Sequence, residues 1–279
     1  MFDRHRAVVA AIAMTCLFAA ACGADEPSTD AEPSASVSVR DDLQSVFEAA
    51  GMRGSFALLD VASGQLTVVD RERAERPDVP ASTFKIAHSL IALETGVVED
   101  ENEVIPYGGQ PQPVPSWEQD MSIREAVPAS NAAVFQQIAR RVGPERMRTW
   151  LDRLDYGNRE IGPNIDRFWL DGPLKVSPVE QTRFLAELAQ RQLDVSVATQ
   201  QTVTDIIALE RTPDYALYGK TGWRFDAEPQ LGWWVGWVQR GERLFTFALN
   251  MDMKGAADAK QREPIGRELL KRLNVLPAA

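Results

Sequence analysis

Ser82 and Lys85 stand three positions apart in PASTFKIAHSL, residues 80–90, inside an apolar run with no acidic residue from Val79 through Leu93. On a helix, positions i and i+3 share a face, so the hydroxyl and the amine lie within reach of each other. A serine hydroxyl is a poor nucleophile until an adjacent base takes its proton, and desolvation lets a lysine titrate low enough to be that base. The run supplies the burial. Phe84, Ile86, Ala87, Leu90, Ile91 and Leu93 leave little polar face apart from Ser82, Lys85, His88 and Ser89, and a helix apolar nearly all round is an interior one. Backbone N–H groups at the helix start can hold a developing oxyanion. The competing reading makes Ser82 an N-cap and lets Lys85 snorkel to the surface, and on the tetrapeptide alone it is the stronger one.

Two more motifs follow. PASNAAVF places Ser130 at the start of another helix, and YGKTGW places Lys220, Thr221 and Gly222 on a strand. Lys220 offers a fixed charge, Thr221 a hydroxyl for a substrate carboxylate, and Gly222 a backbone open to close approach. The elements that must position these residues come from periodicity. SFALLDVASGQLTVVD has two β-rich runs around Ala62-Ser63-Gly64 and reads as a hairpin, as do LGWWVGWVQ and RLFTFALNMDM around Arg240-Gly241-Glu242. Between them lie mostly helical stretches at 121–142, 144–154 and 177–191. The Ser82 helix should run to about Thr95 with Gly96 as its stop, and EPIGRELLKRL closes the chain as an amphipathic helix. Strands near both ends around a helical middle predict an α+β fold. Its central antiparallel sheet comes from N- and C-terminal strands, with flanking helices, an inserted helical lobe and a cleft between lobes.

With 279 residues, 44% hydrophobic and 25% charged, the chain can bury a full core. Its formal charge of −10 argues against nucleic acid as a partner, because a phosphate-tracking protein needs a basic face. The two histidines, His5 and His88, and the lack of any His, Cys and carboxylate cluster at ligand spacing predict no metal site. Residues 1–22 read as a signal peptide: Arg4, His5 and Arg6 precede an apolar run that ends in small residues. Cys22, between Ala19-Ala20-Ala21 and Gly23, resembles the lipobox of bacterial lipoproteins. This predicts an exported protein in the periplasm or cell envelope, touching membrane only through a lipid on Cys22. Ordinary cleavage near Ala21 is the alternative. Cys16 leaves in either case, so no disulfide is expected. Residues 23–40, rich in Ala, Ser, Pro and acidic side chains, read as a disordered tether to a domain at 41–279.

Ser-x-x-Lys, then a second serine motif, then Lys-Thr-Gly is the signature of penicillin-recognising serine enzymes. Over nearly all of residues 41–276 the chain resembles the class D serine β-lactamases, the oxacillinases. PASTFKIAHSLIALETGVV resembles their nucleophile helix, Tyr156-Gly157-Asn158 their third motif, and FWLDGPLKVSP the segment bearing an active-site tryptophan, here Trp169. GWWVGWV and NMDM match the terminal strands. The resemblance implies the β-lactamase/transpeptidase-like fold, β-lactam substrates and no cofactor other than CO₂. That CO₂ would be held as a carbamate on Lys85 (N-carboxylysine), to which Trp169 donates its indole N–H. It implies that this group deprotonates Ser82 and later the hydrolytic water, and that Ser130 relays a proton to the departing lactam nitrogen. The oxyanion would lie between the N–H groups of Ser82 and Trp223, the drug carboxylate on Thr221 and Arg262, and Trp117 would line the cleft.

The chain departs from that pattern once. The family's second motif is usually Ser-x-Val, whereas here it is Ser130-Asn131-Ala132. The smaller side chain should admit water to the carbamate and make activity depend more on bicarbonate. Two rival functions share Ser82, Lys85, Ser130 and Lys220: a D,D-peptidase and a non-hydrolysing β-lactam receptor, both of which stay acylated by penicillin.

Overall fold

A computed structural model describes residues 36–277. Strand β6 (Gln230–Arg240) lies inside the sheet, and its LGWWVGWV is apolar without interruption. Leu231, Trp233, Val235 and Trp237 enter one buried cluster, and Trp234 and Val238 another. Successive strand side chains point to opposite faces. The run is therefore apolar throughout because both faces of the sheet are covered.

The sheet has seven strands: β1 (Val37–Val39), β2 (Gly54–Asp60), β3 (Gln65–Val69), β4 (Ala208–Arg211), β5 (Ala216–Arg224), β6 and β7 (Arg243–Met253). Their order is β1-β3-β2-β7-β6-β5-β4. The predicted hairpins β2–β3 and β6–β7 form, and β2 pairs with β7, so N- and C-terminal strands share one sheet. Two expectations need correction. Every pair is antiparallel except β1 and β3, which run parallel, so the sheet is mixed. The tether expected to reach residue 40 gives way by Val37, which pairs with Leu66. A three-residue strand is too short for composition to reveal.

Ten helices complete the described residues: α1 (Gln44–Ala49), α2 (Arg71–Glu75), α3 (Lys85–Glu94), α4 (Ile123–Ala126), α5 (Ala132–Val142), α6 (Pro144–Arg153), α7 (Pro178–Gln190), α8 (Val197–Ile206), α9 (Ala256–Ala259) and α10 (Arg262–Arg272). One face of the sheet packs on α7, with α3, α5, α6 and α8 in the same apolar cluster, and the other on α1 and α10. The stretch 121–142 is not one helix. It breaks after α4, and Asn131 caps α5 by accepting from the Val134 N–H at 3.3 Å. Ser130 therefore precedes the helix rather than starting it, in a left-handed conformation with φ 54°. Short elements α2, α8 and β4 carried no signal strong enough to read.

Candidate active site

Every side chain of α3 from Lys85 through Ala92 is buried, as an all-apolar helix should be. Before it, Ala81–Phe84 form a 3-10 turn that carries Ser82. Ala81 has φ 49°, a conformation that costs a non-glycine residue about 1–3 kcal/mol and is held only where its surroundings insist. Here they do. The Trp233 indole donates to the Val79 carbonyl at 2.9 Å. Thr83 Oγ1 donates to the Pro80 carbonyl at 2.8 Å and accepts from Gln181 Nε2 at 3.0 Å, which also donates to the Tyr156 hydroxyl at 3.2 Å. Tyr156, from the third motif, is thus a buttress of the nucleophile turn. Asn158 of the same motif ties down the strand-like segment behind it, accepting from the Lys175 N–H at 2.9 Å and donating to the Pro173 carbonyl at 3.0 Å.

Lys85 is fully buried, and its Nζ donates to Ser82 Oγ at 2.9 Å. Among the described residues its bonded partner is this hydroxyl and no carboxylate. Burial first, and the charge of Lys220 second, push its amine well below the ordinary lysine range. The surface-snorkelling alternative is excluded. The Lys85 Nζ is 5.2 Å from the Phe135 ring centroid, and Phe135 joins through His88 an aromatic cage in which Phe84, His88, Phe168 and Trp169 pack on one another at centroid distances of 5.0–6.0 Å. Trp169 is fully buried and its Nε1 has no hydrogen-bond partner.

The second serine meets the Lys220-Thr221-Gly222 strand across 90 residues: Lys220 Nζ contacts Ser130 Oγ closely and also donates to the Thr221 carbonyl at 2.9 Å. Burial, reinforced by the charge of Arg262, pulls Lys220 down to about 7. Arg262 opens α10 and donates from Nη1 to the Gly222 carbonyl at 2.5 Å and from Nε to the Ala259 carbonyl at 2.6 Å. Gly222 gives close approach: a Cβ there would lie 3.0 Å from the Pro80 carbonyl oxygen, tighter than ordinary van der Waals contact. Strand β5 can therefore run against the nucleophile turn.

Ser82, Ser130, Thr221, Gly222, Trp117, Trp223 and Arg262 line one cleft of ≈ 250 Å³, completed by Pro113, Val114 and Phe225. The Trp117 indole donates to the Ala129 carbonyl at 3.1 Å, and Asn131 Nδ2 donates to the Trp117 carbonyl at 3.2 Å, which fastens this wall to the Ser130 loop. Trp223 donates to Gln230 Oε1 at 2.9 Å. An adjoining hollow of ≈ 310 Å³ shares Ser82 and includes Ala132, Arg167, Arg224 and Asp226. A larger, polar hollow of ≈ 860 Å³ around Arg53, Arg73 and Asp252 contains none of the predicted residues, and its arginines are faced by Asp41, Asp70, Glu72 and Asp252. Lys85 and Trp169 stand behind the cleft rather than in it. Cys22 lies outside the described residues. Three things escaped the sequence reading: the roles of Gln181 and Trp233 in bracing the turn, Asn131 as a cap, and the lack of any partner for His88.

Ser82, Ser130, Thr221 and Arg262 thus converge on one cleft, with the low-titrating amine of Lys85 bonded to Ser82 from behind it. In keeping with this, the family described as penicillin binding protein transpeptidase domain matches residues 54–271. β-Lactamase OXA-5 of Pseudomonas aeruginosa is 39% identical over 80% of this chain and 85% of its own, and β-lactamase OXA-48 of Klebsiella pneumoniae 41% identical over 74% and 78%. The crystal structure of FUS-1 (OXA-85), a class D β-lactamase from Fusobacterium nucleatum subsp. polymorphum, superposes with a TM-score of 0.81. It is 37% identical, over 85% of this chain and 99% of that one. The chain belongs to the class D β-lactamase family.

Proposed function

We propose that this enzyme opens the β-lactam ring of penicillin-type antibiotics through an acyl-enzyme on Ser82. The observation that carries the reading is the 2.9 Å contact between Ser82 Oγ and a fully buried lysine that no carboxylate neutralises. An ammonium at that buried position is strongly disfavoured, and Trp169, in the same aromatic cluster, holds an unspent N–H. These residues fit a carbamate on Lys85, formed when the neutral amine attacks CO₂ and loses one proton. Such a group supplies the base for Ser82 and for the hydrolytic water. Thr221 and Arg262 bind the substrate carboxylate. Ser82 attacks the lactam carbonyl, whose oxyanion lies against the N–H groups of Ser82 and Trp223. Ser130 gives its proton to the departing nitrogen and regains one from Lys220, whose pKa of about 7 suits that exchange near neutrality. Trp117 and Trp223 wall the site. We place the protein outside the cytoplasmic membrane, tethered through Cys22, on the strength of the leader and lipobox residues.

Intact-mass spectrometry seconds and an hour after mixing with benzylpenicillin, with and without bicarbonate, tests the catalytic reading. The expected result is a transient Ser82 adduct that decays as penicilloate accumulates, faster with bicarbonate because Ala132 leaves the hollow beside Ser82 wide. An adduct persisting in both buffers makes the protein a D,D-peptidase or receptor instead. Equal turnover in both buffers removes the Ala132 argument.

A further inference from the structure

Among the described residues seven buried side-chain polar atoms lack a partner, and three of them share one place: both ring nitrogens of His88 and the indole Nε1 of Trp169. His88 is fully buried one helical turn beyond Lys85, at i+3, and so on the same face of α3. Its ring centroid lies 5.0 Å from that of Trp169 and 5.2 Å from that of Phe135, the ring that the Lys85 amine itself approaches to 5.2 Å. An imidazole sealed among aromatic rings with nothing to bond is a standing cost, since buried polar groups are normally satisfied. Phenylalanine would fill the same space without it. Among the described residues Trp169 and the neutral His88 ring each hold one N–H donor that is bonded to nothing.

We propose that His88 is a positioning residue for the carbamate on Lys85, its neutral ring donating one N–H to the carbamate while Trp169 donates another. The inference rests on the carbamate reading above. Burial pushes the imidazole well below its ordinary range, so at neutral pH the ring is an uncharged donor. A carboxylate accepts at both oxygens, which gives the two orphaned donors one shared acceptor. Hydrogen bonds to an ionised acceptor are the strong kind. Together they turn a site that repels an ammonium into one that holds an anion. A hydrophobic wall alone would do only the first.

The test is ¹³C NMR of the full-length protein titrated with ¹³C-bicarbonate, comparing wild type with His88→Phe and His88→Gln, alongside thermal melts. Wild type is expected to give a carbamate resonance. His88→Phe should need roughly 10-fold more bicarbonate for half occupancy, yet melt no lower, because it removes two unsatisfied nitrogens. His88→Gln, which keeps an N–H donor, should recover most of the affinity. Wild-type bicarbonate dependence in His88→Phe overturns this proposal and leaves the carbamate reading standing, whereas no carbamate resonance in wild type overturns both. A measurement that needs no stable phenylalanine variant is a histidine-selective ¹⁵N label, which reports only His5 and His88. The protonated ring nitrogen of His88 should shift when bicarbonate is added, and an unchanged ring spectrum in carbamylated protein overturns the proposal.

Discussion

At the scale of single residues, two buried bases make stability depend on pH in a stated direction. His88 takes a proton near pH 3 in the folded chain against 6.5 for the free side chain. Between those values the unfolded chain binds more protons, so this contribution is complete above pH 6.5 and is lost as pH falls toward 3. Lys220 behaves alike in a higher window: lowered from 10.5 to about 7, it adds stability as pH rises through that range. The expected outcome in bicarbonate-free buffer is that His88→Phe loses less melting temperature than wild type between pH 6.5 and pH 4. Parallel Tm profiles for the two proteins would falsify the assignment of acid sensitivity to His88. The Ser82–Lys85 contact itself needed no tertiary information to foresee. Ser82 and Lys85 were legible because their contact is made within one helical turn.

At the scale of elements, the Ser130 loop decides whether the second half of the site forms. Ser130 sits in a left-handed conformation between α4 and α5, held by its own N–H to the Val127 carbonyl at 3.1 Å and by the Asn131 N–H to the Ala126 carbonyl at 2.9 Å. Asn131 is fully buried, caps α5 and ties the Trp117 segment to it. Replacing Asn131 by Ala removes a cap and a buried pair of bonds together. The expected loss is about 1–3 kcal/mol of stability by chemical denaturation, with a slower acylation of Ser82 in stopped-flow because Ser130 and Trp117 lose their common anchor. Unchanged acylation with lowered stability would make Asn131 structural only. The sequence reading ran one helix through this loop, since 121–142 has helical periodicity on both sides and only Pro128 and Asn131 mark the break. Local pattern cannot see that a kink is stabilised from β5, which lies 90 residues away.

At the scale of the whole molecule, stability comes from packing on both faces of one sheet. Trp233 and Trp234 are adjacent in sequence and fully buried in opposite clusters, so neither layer can be loosened without exposing large apolar area, at roughly 25 cal/mol per Å². Both cysteines, Cys16 and Cys22, precede the described residues, so the folded domain has no thiol to cross-link. Thermal melts with and without reducing agent should therefore coincide. A Tm lowered by reductant would show a covalent dimer through the N-terminal segment.

What the sequence by itself determined is the chemistry's vocabulary and the framework: Ser82 with Lys85, Ser130, the Lys220-Thr221-Gly222 strand, both hairpins and the terminal helix. Each is written in spacings of two, three or four residues, and such spacings are how helices and strands present side chains. Only the tertiary structure decided the environment of those groups. Residues far apart in sequence, Lys85, Phe135 and Trp169, close one cage. That cage pushes a lysine's pKa down and leaves Trp169 and His88 with donors to spend, because desolvation and hydrogen-bond satisfaction depend on neighbours in space rather than in sequence. The short strand β1, the Ser130 kink and the Tyr156–Gln181–Thr83 brace belong to the same class. They are stabilised by partners the local sequence does not contain.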